Sequence, residues 1–145
     1  MLAPALLPPV RRLPAIECRP VSDDAMRRVF AEITAVSFDI PATVAEAVYV
    51  PERAWRGDYH GFVGLAGNRP VAIAALVSTP AALGVYSVAT VPAFRRQGYG
   101  EALFRAAAGT AERTPLVLQS TEAGYALYRR MGFRDVTKFT VYLTK

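Results

Sequence analysis

One stretch of the chain has residue types and spacing suited to holding an anion: Arg95-Arg96-Gln97-Gly98-Tyr99-Gly100. Apolar residues then follow at Tyr99, Ala102, Leu103, Ala106 and Ala107, the spacing of one helix face. The first N–H groups of a helix have no internal acceptor, and the helix dipole is positive there. Gly98 and Gly100 carry no side chain, so a phosphate can approach the backbone, and the two arginines add charge beside it. The chemistry would be the cradling of a pyrophosphate. The same residues also suit a plain glycine-rich connection with two solvated arginines. No Gly-Lys-Ser/Thr follows, so this is not a P-loop, and Leu103 stands where a dinucleotide fingerprint needs its third glycine.

The elements that must position this stretch can be read outward from it. Val85–Val91 is β-branched and apolar, a strand that Pro92 ends. Upstream, Ile16–Pro20 reads as a short strand. Ser22 is the expected N-cap of a helix whose apolar face is Met26, Val29, Phe30 and Ile33. A shorter helix follows from Ala42 to Val50, then a loop with Trp55 and Asp58. His60–Ala66 and Pro70–Ser78 form a strand pair about Gly67-Asn68. Downstream, Pro115–Ser120 is a buried strand, Ala123–Met131 a helix stopped by Gly132 in the left-handed conformation, and Phe139, Val141 and Leu143 alternate as a last strand. The order β-α-α-β-β-β-α-β-α-β implies an α/β (α+β) fold, a mixed sheet with helices on both faces.

At 145 residues, with 52% hydrophobic and 20% charged residues, the chain is one domain with a real core. Residues 1–14 (MLAPALLPPVRRLP), interrupted by prolines, read as a flexible arm or linker ahead of a single domain over 15–145. No apolar run is long enough to span a membrane. The single cysteine, Cys18, excludes a disulfide framework and suits the cytoplasm, and one cysteine with one histidine excludes a zinc site. The net charge of +5 is spread in arginine pairs without a long basic run, which argues against nucleic acid as partner.

The stretch matches Arg/Gln-x-x-Gly-x-Gly/Ala, with Arg95, Gly98 and Gly100 in the fixed places. It resembles the acetyl-CoA motif of the GNAT (GCN5-related) N-acetyltransferase superfamily. TEAGYALYRRMGF, near the C-terminus, is similar to the closing motif of that family, with Leu127, Tyr128, Gly132 and Phe133 in its places. The resemblance spans Ile16 to Leu143 and is strongest from Val85 onward.

The resemblance implies a mostly antiparallel sheet with a central splayed parallel pair, Val85–Val91 and Leu116–Ser120, and acetyl-CoA as co-substrate in the V between them, without a metal. The backbone of Val88, Ala89 and Thr90 would pair with the pantetheine arm. The N–H groups of Arg96, Gln97, Gly98, Tyr99, Gly100 and Glu101 would hold the pyrophosphate, with Arg95 and Arg96 supplying charge. Thr121, where many members have asparagine, and Gly124 would complete the cofactor site, and Tyr128 would be the general acid. Many members carry a glutamate base on the central strands, but residues 82–90 and 115–121 contain no carboxylate. Glu122, Asp58, His60 or a water chain would then serve. Phe38, Ile40, Trp55 and Tyr86 are candidate walls for an amine acceptor, small molecule or peptide. The implied activity is direct acetyl transfer to a primary amine, by a monomer or homodimer. A non-catalytic acyl-CoA-binding regulatory module on the same fold is the alternative.

Overall fold

The structure is a computed structural model and describes residues 1–110, 115–140 and 142. Its centre is a six-stranded sheet, built from β1 (Leu2–Ala3), β2 (Glu17–Pro20), β3 (Tyr59–Ala66), β4 (Arg69–Ser78), β5 (Leu83–Thr90) and β6 (Leu116–Leu118), in the order β1-β6-β5-β4-β3-β2. Every pairing is antiparallel except β5 with β6. The mixed sheet with helices on its faces is the fold the residue order implies.

Alternation along β4 divides the two faces. Ile73 and Ala75 pack with Phe30 and Ile33 of α1 (Asp24–Phe38). Ala74 and Leu76, with Leu83 and Val85 of β5, pack with Leu103, Phe104 and Ala107 of α3 (Tyr99–Ala108) and with Tyr128 of α4 (Glu122–Arg130). The second helix, α2 (Ala42–Tyr49), packs on α1. Phe30, Phe104 and Phe133 are sealed from solvent, each worth about 1.5–3 kcal/mol of burial.

Two expectations are corrected. The N-cap of α1 is Asp23, whose Oδ1 accepts from Met26 N–H at 2.8 Å, and not Ser22. The last strand is not present among the described residues. Phe139 is exposed and outside any strand, and Val141 and Leu143 lie outside the described residues. The outer edge of β6 belongs instead to β1, with Leu2 opposite Val117 and Ala3 opposite Leu116.

The N-terminal segment, read from its prolines as a flexible arm, is laid across the body. The Met1 ammonium donates to Leu118 O at 2.7 Å, and Leu2 and Arg134 exchange backbone hydrogen bonds of 2.9 Å. Leu7 N–H donates to Met131 O at 2.9 Å, and Arg105 Nη1 donates to Leu7 O at 2.7 Å. The strap then passes Gly98 and enters β2 at the far edge of the sheet.

Candidate active site

The site begins where β5 and β6 part. Their parallel register is Leu83 with Leu116, Gly84 with Val117 and Val85 with Leu118, and there β6 ends. From Tyr86 to Thr90, β5 has a strand partner only on its β4 side. Among the described residues, the edge that carries Val88, Ala89 and Thr90 is therefore open.

A bulge shapes that edge. The β4–β5 register passes from Ala75–Tyr86 to Ile73–Ala89, so two residues of β5, Ser87 and Val88, oppose Ala74 alone. Ser87 takes φ +49°, a left-handed conformation that costs a non-glycine residue about 1 kcal/mol or more. Its hydroxyl lies 3.4 Å from Tyr59 Oη. Burial pushes the Tyr59 phenol up to about 12, so it is neutral at physiological pH. Neither residue was found by sequence reasoning: a bulge without glycine has no compositional signal, and Tyr59 reads as an ordinary strand aromatic.

After β5, a 3-10 turn at Pro92–Phe94 leads into the glycine stretch, and Phe94 stacks edge-on against Tyr99 at 5.8 Å. Arg96 (φ +62°) and Gly98 (φ +96°) both turn left-handed before α3 starts. Among the described residues, the N–H groups of Arg96, Gln97, Gly98, Tyr99, Gly100 and Glu101 find no acceptor in hydrogen-bond geometry. Six unmet donors at a helix start can hold a phosphate.

The two arginines differ. Arg95 Nε donates to Thr90 O at 3.1 Å and its Nη2 to Ser37 O at 3.2 Å, so it ties the end of β5 to the end of α1. The Arg96 side chain is exposed and has no partner among the described residues. The glycines also differ from their expected use. A Cβ on Gly100 would stand 2.7 Å from Thr90 Oγ1, so its bareness lets α3 start against β5. A Cβ on Gly98 would meet Pro14 at 3.1 Å. The Glu101 side chain is buried and bonds Arg105 at 2.8 and 2.9 Å.

On α4, Thr121 Oγ1 caps the helix, accepting from Gly124 N–H at 3.3 Å. Gly124 makes room for Tyr128: a Cβ there would lie 3.0 Å from the Tyr128 ring. Tyr128 is 9% exposed, set edge-on between Phe104 and Phe133 at 6.3 and 5.7 Å. Burial pushes its phenol up to about 12. Its hydroxyl bonds no described residue. Yet the only partnerless side-chain polar atoms closed off from solvent, among the described residues, are Arg27 Nε and Ser37 Oγ. The Tyr128 hydroxyl therefore opens towards solvent. Tyr125, by contrast, donates to Asp135 at 2.7 Å on the surface.

The remaining candidates scatter. His60 is exposed on β3 opposite Leu76. Asp58 contributes its carbonyl to Ser78 N–H at 3.2 Å. Glu122 borders a cleft of about 780 Å³ at the end of β6, together with Ser120, Thr121, Tyr125 and residues 135–139. Of the proposed acceptor walls, Phe38 and Tyr86 are exposed, whereas Trp55 packs on Gly61, Phe30 and Tyr59.

The parallel pair β5–β6 ends at Val85 and Leu118, and an unfilled glycine turn opens the helix that follows β5. Residues 57–135, more than half of the chain, match the family model of the Acetyltransferase (GNAT) domain, and the chain belongs to that family. It is similar to a GCN5-related N-acetyltransferase from Ralstonia eutropha JMP134, with 28% identity, 89% of this chain and 99% of that chain covered, and a TM-score of 0.64. A predicted acetyltransferase from Clostridium acetobutylicum, solved with acetyl-CoA, shares the fold at 14% identity, covering 89% of this chain and 96% of that one, TM-score 0.68. So does AAC(6')-Iy in complex with a bisubstrate analogue, CoA-S-monomethyl-acetylneamine, at 11% identity, with 90% and 99% covered and a TM-score of 0.67. No curated protein matches. Among the described residues, no helix is long and apolar enough to cross a membrane.

Proposed function

We propose that this chain is an acetyl-CoA-dependent N-acetyltransferase that moves the acetyl group directly to a primary amine. The observation that carries this reading is the continuity of open edge and unfilled turn: among the described residues, β5 has no strand partner on its β6 side from Tyr86 to Thr90, and it runs into six unmet N–H donors. A ligand with an amide-bearing arm and a pyrophosphate fits that sequence of donors and acceptors. Acetyl-CoA, bound in a solved protein of the same fold, is such a ligand.

Val88, Ala89 and Thr90 pair with the pantetheine amides, and the turn from Arg96 to Glu101, with the Arg96 guanidinium, holds the pyrophosphate. Thioester and amine are thereby held together, which supplies proximity. An N–H of the bulged edge donates to the thioester oxygen as the amine nitrogen adds to the carbonyl carbon. The C–S bond then breaks, the amine gives up one proton, and the thiolate takes up one. Tyr128, neutral at physiological pH, donates its hydroxyl to the departing sulfur. Its raised pKa keeps the phenol protonated throughout the neutral range. In this reading the Ser87 and Tyr59 hydroxyls, 3.4 Å apart at the bulge, receive the amine.

The test is an acetyl-CoA turnover screen against amines, amino acids, polyamines, aminoglycosides and peptide N-termini. The reading requires free thiol and acetylated amine in equal amounts from at least one class. The second reading, a non-catalytic acyl-CoA-binding module, is favoured by the lack of any carboxylate at 82–90 and 115–121. Tight acetyl-CoA binding with no transfer to any acceptor would select it.

A further inference from the structure

The N-terminal strap brings a third guanidinium group to the turn. Arg11 Nη2 donates to Arg96 O at 3.3 Å and lies 3.4 Å from where a Cβ of Gly98 would stand. Pro14 and Leu13 pack at the same glycine. We propose that Arg11 is a phosphate ligand of the co-substrate, delivered by the strap and taking the part expected of Arg95. The proposal rests on the acetyl-CoA reading above.

Four observations carry it. Arg95 is committed to the carbonyls of Thr90 and Ser37, whereas Arg11 has a single long bond. Arg11, on the strap, and Arg96, on the turn it crosses, are exposed cations, and no carboxylate pairs with either among the described residues. The carboxylate nearest in the chain, Glu101, is used up by Arg105.

The fourth observation is that the strap is anchored rather than loose. Leu7 is held at both its N–H and its carbonyl, by Met131 O and Arg105 Nη1. Pro8, Pro9 and Pro14 restrict the chain on either side of Arg11. Arg11 uses one long bond out of five N–H donors, which leaves a planar fork for a phosphate.

The experiment measures binding to the full chain by calorimetry. The ligands are acetyl-CoA and S-acetylpantetheine, which lacks every phosphate. The proteins are the parent, Arg11→Gln and Arg12→Gln. Arg12 stands next in the strap, exposed and without a partner among the described residues, so its variant controls for net charge. Arg11→Gln should weaken acetyl-CoA about tenfold or more and reduce the salt dependence of its affinity, the size of a charge-assisted phosphate bond. Its S-acetylpantetheine affinity and melting temperature should stay with the parent, and Arg12→Gln should stay within about twofold for both ligands. An unchanged or higher acetyl-CoA affinity in Arg11→Gln would overturn the proposal, the higher value marking the strap as a cover over the turn. Equal losses for both ligands would overturn it too, reducing Arg11 to loop support. A parent that binds no acetyl-CoA would instead overturn the underlying reading.

Discussion

Gly100 and Thr90 touch: a Cβ on Gly100 would stand 2.7 Å from Thr90 Oγ1, closer than side chains pack. The end of the central strand and the first turn of α3 are thus held at a distance only glycine permits. This places the open edge of β5 next to the unmet N–H donors of the turn.

Gly100→Ala should therefore cost about 1–3 kcal/mol by overpacking against Thr90, whose β-branched side chain is stiff. Thr90→Ala removes the oxygen that clashes, so the double variant should recover most of that loss. Denaturant unfolding of the four proteins checks this. Additive losses would show that the contact does not set the approach of helix to strand.

Arg95 and Arg96 should separate by ligand. Arg95→Ala releases the carbonyls of Thr90 and Ser37, so it should lower the melting temperature and weaken acetyl-CoA and S-acetylpantetheine alike. Arg96→Ala should leave the melting temperature in place and weaken acetyl-CoA alone, about tenfold or more. Calorimetry with the two ligands distinguishes them. The reverse pattern would mean that Arg95 meets the phosphates.

Much of this site was legible in the chain. Strand, proline, glycine turn and helix are local signals, and β5, α3 and α4 fall within a few residues of where periodicity puts them, with Gly132 at φ +101° as expected. What was not legible depends on contacts far apart in sequence. The strap looks like an arm because its prolines forbid regular structure. Its order comes from Met131, Arg105 and Leu118, more than ninety positions away. The alternation that begins at Phe139 is a strand signal, but Phe139 itself is exposed outside any strand, and β1 lies on the outer edge of β6. The two arginines are adjacent and identical in type, and the positions of Thr90 O and Ser37 O decide which one is tied down.

Alkaline pH should expose the burial of Tyr128. Its folded pKa, pushed up to about 12, lies above the unfolded value of about 10. The unfolded chain therefore loses this proton first, so the stability Tyr128 contributes is complete below about pH 10 and is lost as pH rises towards 12. Melting temperature should fall more steeply between pH 10 and 12 in the parent than in Tyr128→Phe. Identical slopes would show that the hydroxyl is as well solvated in the fold as outside it.

The most direct test of the acetyl-transfer account is the rate of thiol release from acetyl-CoA by Tyr128→Phe, with the best acceptor of the amine screen at saturation. Losing the donor to the leaving sulfur should lower kcat by roughly 10²–10⁴-fold, while acetyl-CoA affinity and melting temperature at neutral pH hardly move. Tyr125→Phe, which gives up only a surface bond to Asp135, should turn over like the parent. A Tyr128→Phe enzyme that releases thiol at the parental rate would contradict the account, because the phenol assigned to the departing sulfur would then take no part in the chemistry.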